Sequence, residues 1–400
     1  MAGNLYAASR QWATRPADER FWTLEDAAAT CRGYAETAQE LDVDFGTSAL
    51  VAGPDDNVRL ALPDGRQATL TNWSFGQLAK TAGAPADYLR KLPTDLAIRC
   101  IETGLDTHFA GREDMTRSAL VHQNGTTVLR SLTSDVYRRF WNYKVFDRLV
   151  GLQAYGWRVP PARPSDATDP RARPATEADC LVNRNGGGGL AIKPGDMIAP
   201  AGIYASDHDM FAFLVNEERR IDDGSDGGLS RGFFVTNSEV GAAALKVTLF
   251  HYRHVCSNHI VWGAENTVEV SVRHVGDVAG RFEVELSAAL DTYANASART
   301  DEERIRRARR TVLGQTDDDV LDAVFKAFTK TRKYNLPSGL SVKMLRQAVA
   351  VAKEHEDTDG SPYSVWGVVN GITRVSQLTP YTDDRTFLDR AASAVLTLAM

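Results

Sequence analysis

The chain has 400 residues, with 46 basic against 52 acidic side chains and a formal net charge of −6. That balance excludes a global cationic field for nucleic acid or anionic membrane, so any such surface must be a local patch. With 43% hydrophobic and 24% charged residues, the composition is that of a globular chain with a sizeable core, arranged as one large domain or roughly two to three smaller ones.

Four scattered cysteines, Cys31, Cys100, Cys180 and Cys256, form no Cys-x-x-Cys pair and read as reduced thiols. The opening MAGNLYAASRQWATRPADERFW has no apolar stretch of signal-peptide length. No run approaches the roughly 18 apolar residues of a membrane span. The expectation is a cytoplasmic protein with no membrane partner.

Residues 22–41 predict a helix opened by Thr23, with acids in its first turn where the helix dipole favours them. Residues 57–73 read as a hairpin around Pro63-Asp64-Gly65, and 74–105 as short helices punctuated by Pro85 and Pro93. SALVHQNGTTVLRSLT (118–133) alternates on both sides of Asn124-Gly125, a strong hairpin signal. Residues 135–152 carry apolar positions at helical spacing. From 160 to 189 proline, glycine and charge dominate, which predicts a long mobile loop.

Strands follow at 198–221, 231–238, 243–256 and 267–275, the first three successive in one antiparallel sheet. The period then changes from two to 3.6, giving helices near 282–296, 301–313, 317–334, 340–355, 361–378 and 383–399. The expected class is α+β, with a central antiparallel sheet between helical N-terminal and C-terminal regions. The divisions fall at 1–110, a helical region with a small hairpin; 111–300, the α+β core with its mobile loop; and 301–400, the C-terminal helices.

LFHYRHVCSNHIVWG (249–263) places His251, His254, Cys256 and His259 close together, which suits zinc by ligand type. If 245–256 is extended, alternate residues share a face. His254 and Cys256 then lie on one side with Tyr252, and His251 and Arg253 on the other. No other Cys/His cluster completes a ligand set, so no metal and no cofactor are expected. GGGG at 186–189 precedes LAIKPGD rather than a helix, so no helix N-terminus is offered to an anion. Asp207, Asp209, Asp222, Asp223 and Asp226 suit Mg²⁺ or Ca²⁺ by ligand type, but DDGSDGG (222–228) lacks the spaced ligands and the closing Glu of an EF-hand loop, and a solvated turn explains it as well. There is no catalytic signature among the common motifs.

DEERIRRARRTVLG (301–314) is the clearest candidate by charge. On a helical wheel Ile305, Ala308 and Val312 form an apolar arc, opposite Arg306, Arg307, Arg309 and Arg310. The next segment adds Lys326, Lys330, Arg332 and Lys333 beside Val324, Phe325 and Phe328. Cations beside aromatic rings suit a phosphate backbone with stacked bases. The plain alternative is a solvated face neutralised by Asp301, Glu302, Glu303 and 317–319.

Three segments carry a family resemblance. TSDVYRRFWN (133–142) presents Ser134, Asp135, Tyr137, Arg138 and Asn142. TNSEVGAAALKVTLFHYRHVCSNHIVWG (236–263) presents Asn237, Ser238, Glu239, Gly241, Arg253, Cys256 and Asn258. SVWGVVNGITRVSQ (364–377) presents Trp366, Asn370 and Thr373. Together, over about 70–395, they resemble the phage/plasmid-like protein family, a domain of unknown function (number 932). His259 stands where that family usually has Gly, and the 160–189 loop is longer and richer in proline.

The resemblance implies a mobile-element setting and a non-enzymatic, nucleic-acid-associated role. We expect single-stranded DNA binding or annealing by a homo-oligomer. Phosphates would be held by Arg306, Arg307, Arg309, Arg310, Lys330 and Lys333, with Tyr137, Arg138 and Arg253 lining a sheet-side groove. The alternatives are an oligomeric structural or interaction protein without nucleic acid, and a metal-dependent hydrolase using Asp and His of 207–226 and 251–259.

Overall fold

The computed structural model describes residues 16–111, 115–159, 163–164, 168–180, 193–200, 202–206, 208–222, 229–253, 259–260, 269–295, 298–330, 340–378, 391–392 and 394–399. His254, Cys256, Asn258, Lys333, the glycines of 186–189 and Asp207, Asp223 and Asp226 lie outside them.

Thr23 accepts the Asp26 N–H and opens α1 (Leu24–Glu36), with Glu25 and Asp26 in its first turn. The helix is shorter than the 22–41 pattern predicts, because 38–44 pairs instead as β1 (Ala38–Asp44) along β5. Cross-strand pairing overrides local propensity there. β2 (Leu50–Ala52), β3 (Val58–Ala61) and β4 (Gln67–Leu70) precede α2 (Asn72–Thr81), α3 (Ala86–Leu89) and α4 (Thr94–Phe109). β5 (Thr116–Asn124) and β6 (Thr126–Thr133) complete a sheet of order β1-β5-β6-β4-β3-β2.

Both expected hairpins form, with Gly65 at φ +85° and Gly125 at φ +72°. The second joins the N-terminal strands rather than the central sheet. Its partner on the far side is β4, which runs parallel to β6. Leu78, Ile101 and Leu105 pack over Val43, Leu60 and Leu129 as one core.

The next helix, α5 (Asn142–Leu152), starts later than the spacing from 135 suggests. β7 (Trp157–Arg158), β8 (Arg163–Pro164), β9 (Arg173–Pro174), α6 (Glu177–Cys180) and β10 (Met197–Ala199) are short. They lead to β11 (Ile203–Ala205), β12 (Met210–Ile221), β13 (Leu229–Asn237), β14 (Leu245–Arg253) and β15 (His259–Ile260), hydrogen-bonded in that order. β16 (Glu269–Val272) adds to β14, and β7 adds to β12. On one face Leu214, Phe233 and Val247 meet Leu24, Phe146 and Phe282 of α1, α5 and α7 (Val278–Asn295). On the other, Phe211 and Phe234 stack at 5.4 Å. β13 is therefore buried on both sides.

The 160–189 expectation needs correction within its described part. Arg20 and Asp169 form a buried two-armed ion pair, both contacts 2.8 Å. Arg173 grips Asp179 at 2.7 and 2.8 Å while lying 4.1 Å over the Trp22 ring. Arg171 donates to the Ala17 carbonyl at 2.6 Å. Arginine forks and ring faces fasten 168–179 to the N-terminal segment, where composition alone suggests mobility.

The final helices are α8 (Ala298–Arg310), α9 (Asp317–Lys330), α10 (Val342–Glu354), α11 (Glu356–Asp359) and α12 (Val365–Leu378). Ile305, Val324, Leu345, Trp366 and Ile372 share a core with Ile221 and Leu229 from the ends of β12 and β13. The fold is α+β, as expected. α10 and α12 touch through backbone: a Cβ at Gly371 would lie 2.1 Å from the Ala348 carbonyl oxygen. Gly371→Ala should therefore cost about 1–3 kcal/mol by overpacking. The readout is a lower urea midpoint at unchanged m-value; a wild-type midpoint would show that the helices tolerate separation.

Candidate nucleic-acid interface

α8 orients its arginines by burying Ile305 and Ala308, at 1% and 0% exposure. Val312 lies beyond the helix end and is 57% exposed, so it is not part of that arc. Arg307, Arg309 and Arg310 occupy the last turn, where the negative end of the helix dipole favours cations.

The acids that sequence proximity offers as neutralising partners are largely committed elsewhere. Glu303 pairs with Arg299 at 2.9 Å, and Asp301 faces the buried Arg231 at 4.0 Å. Asp317 binds Lys353 at 2.6 Å, which holds its carboxyl below the usual range, and Asp318 binds Arg346 at 2.7 Å. Asp319 accepts the N–H groups of Gln315 and Thr316. Glu302 reaches Arg306 at 3.5 Å, partly exposed, so Arg299 and Arg306 are the α8 arginines with a carboxylate in reach at these distances. Arg304, Arg307 and Arg310 make no ion pair among the described residues, and Arg307 and Arg310 are exposed. Lys326 is exposed on α9 nearby. Lys330 ends α9.

The residues expected in a sheet-side groove do not come together. The backbone of Arg253 pairs with Leu229, at the α8 end of β13. Tyr137 and Arg138 sit at the Asn237 end, eight residues and roughly 27 Å away at about 3.4 Å per residue. Tyr137 is also engaged. Its hydroxyl donates to the Ser238 carbonyl at 2.9 Å, its ring stacks on His274 at 5.0 Å, and burial pushes its phenol up to about 12. Arg138 is exposed, and its guanidinium donates to the Asp135 and Tyr137 carbonyls.

Around Tyr137 two of the motif segments dock on each other. Glu239, 1% exposed, accepts from the Asn142 N–H at 2.7 Å and so caps α5 from another part of the chain. Its other oxygen meets Arg130 of β6 at 3.2 Å, with both side chains buried. Asn237 donates to the Phe140 carbonyl and to Asn142 Oδ1, each at 2.8 Å. Arg139 donates to the Glu239 carbonyl and, at 2.8 Å, to Glu40. Burial raises the Glu239 carboxyl above its ordinary range, while Arg130 and the Asn142 N–H pull against that. Asn237 and Glu239 thus hold structure together, as do Trp366 and Asn370. Those two are fully buried on α12, where Asn370 donates to the Trp366 carbonyl at 2.9 Å.

Arg130, Arg139 and His274 went unnoticed in the sequence, since no local spacing links them to 237–239. β14 is extended through Arg253, with His251 opposite Arg231. No group of His, Cys, Asp or Glu among the described residues could hold a metal ion. Asp209 instead accepts from Tyr204 and Ser206 at 2.8 and 2.9 Å.

Two outcomes test the knot. Removing either Glu239 or Arg130 should cost roughly 3–5 kcal/mol by stranding a buried charge, and Glu239→Gln with Arg130→Met should recover much of it. Additive losses in that denaturation cycle would mean that the pair is not coupled. The second concerns His274, whose Nδ1 is 3.1 Å from the Arg138 carbonyl and whose pKa burial lowers from 6.5. A depressed histidine stabilises the fold above its unfolded pKa and loses that contribution as pH falls through the folded value. Between about pH 7.5 and about pH 5.5 the wild-type denaturation midpoint should therefore fall further than that of His274→Gln. Equal falls would exclude His274 as the proton acceptor.

Residues 198–380 match the family model described as Domain of unknown function (DUF932). The match is narrower than the span over which the motifs are spaced, and 133–142 lies outside it although it packs onto 237–239. No curated protein and no solved structure matches the chain.

Proposed function

We propose that this protein, whose residues 198–380 match the DUF932 family model, binds single-stranded nucleic acid along α8 without catalysing a reaction. The observation that carries the reading is the set of arginine charges left over after ion pairing. In a chain of net charge −6, Arg304, Arg307 and Arg310 on one helix make no carboxylate contact among the described residues. Unspent guanidinium groups on a rigid helix suit phosphates, which accept their forked donors. Single strands, with their phosphates tracked by such a row, bind in a strongly salt-dependent way.

Annealing of DNA strands and a phage or plasmid setting belong to the same proposal, on the strength of the resemblance. So does self-association. Val136 and Val275, 55% and 51% exposed, lie on two loops joined by the Arg138 N–H to His274 carbonyl bond at 2.7 Å, an apolar spot suited to a second copy.

The test is oligonucleotide binding across a salt series, with particle mass measured with and without the strand. Arg307→Glu with Arg310→Glu should weaken binding and flatten the slope of log Kd against log salt by about 1.4, at roughly 0.7 per phosphate contact. An unchanged slope and affinity would remove α8 from the interface. A mass that stays at one chain with the strand present would remove the assembly from the proposal.

A further inference from the structure

Far from α8, the N-terminal sheet and its helices enclose an open cavity of about 380 Å³. Leu70, Phe75 and Leu92 are among its apolar lining residues, and Asp56, Asn57, Asn72 and Arg90 supply polar groups. A pocket near the lower end of the ligand-binding range, with polar groups beside apolar side chains, has room for a small organic ligand.

Two features of its wall are built rather than incidental. The Arg90 guanidinium lies 5.1 Å over the Phe75 ring, held there by the Asp87 carboxylate and the Asn72 carbonyl, each 2.9 Å away. That makes a fixed, flat platform with its charge already partnered. Opposite, Asp56 has φ +56° and is the one non-glycine among the described residues in the left-handed region. The Thr94 hydroxyl pins its carbonyl, and Asn57 donates to Asp55 at 3.0 Å in the same loop. Asp tolerates this region better than most non-glycine residues, so the turn between β2 and β3 sets Asp56 and Asn57 in the cavity wall. The Asp56 carboxylate makes no ion pair among the described residues and is exposed.

We infer that this cavity takes an uncharged nucleoside, its base stacked on the Arg90–Phe75 platform. Flat guanidinium and aromatic faces stack unpaired bases in a manner that tolerates sequence. A carboxylate accepts from the amino edge of a base, as Asp and Glu do from cytosine, and an asparagine amide matches an edge that both donates and accepts. The unpartnered carboxylate at the rim disfavours a phosphate group, so a nucleoside fits better than its monophosphate. Guanosine and cytidine, which present amino donors beside the base edge, fit better than uridine. The site is independent of the α8 proposal and uses none of its residues.

The experiment is ligand-observed saturation-transfer NMR on the full chain with guanosine, cytidine, uridine and cytidine monophosphate at millimolar concentration. Saturation transfer to guanosine or cytidine, stronger than to uridine or the monophosphate, is expected. Asp56→Gly, which removes the carboxylate while suiting the backbone, should weaken that binding at least about fivefold, as expected for losing one good base-edge contact. Asn72→Ala should weaken it too. A thermal melt at the wild-type temperature shows that each variant is folded, and Arg307→Glu with Arg310→Glu should leave nucleoside binding unchanged. No transfer from any nucleoside, or transfer that Asp56→Gly and Asn72→Ala both leave intact, would overturn the assignment. Either result leaves the salt-dependent binding of oligonucleotides as a separate question.

Discussion

One buried carboxylate organises the middle of this molecule. Glu239 leaves the end of β13 and meets two demands in other parts of the chain: the cationic Arg130 of β6 and the unsatisfied N–H at the start of α5. Either group buried without a partner would carry a desolvation penalty of roughly 1–3 kcal/mol or more, and the arginine the larger one. The six-stranded sheet, α5 and the larger sheet can therefore close together only in an arrangement that puts all three groups within reach. Trp73 and Gln77 of α2 reinforce that closure, both donating to the Val240 carbonyl, at 2.8 and 3.0 Å.

The same geometry separates residues that matter for shape from residues available to a partner. Asn237, Glu239, Trp366 and Asn370 are wholly inside, and their hydrogen bonds are internal. The α8 arginines are positioned by the reverse logic. A short apolar side of Ile305 and Ala308 anchors the helix, so the remaining side projects outward whatever its charge. The fold sets no requirement on the charge of that side, so Arg307 and Arg310 are exposed without constraint from the core.

Much of the architecture was legible because it is local. The Thr23 cap, the two glycine turns and the change of period after 275 are set by side chains within a few residues of each other. What was not legible depends on contacts between distant segments. Nothing near 38–44 announces that β5 will claim it as a strand. Composition at 168–179 signals a loose loop, yet Asp169 meets Arg20, Arg171 the Ala17 carbonyl and Arg173 the Trp22 ring, all far away in sequence. The motif residues were visible as a set, but spacing alone could not tell a buried cap from a ligand. Tyr137, expected to line a sheet-side groove, is instead a bolt between Ser238 and His274. In sequence a glycine within a helix advertises only weakness, whereas the use of Gly371 is the close seat of α12 on α10.

β13 carries a mechanical implication. It is hydrogen-bonded on both edges, to β12 and β14, and covered on both faces, with the Glu239 knot at one tip and α8 at the other. Side chains alternate along such a strand, so sliding it by a single residue would turn every inward group outward. The strand behaves as a stiff rod with a notched track. A shift along its length that keeps the same side chains inside must therefore be a step of two residues.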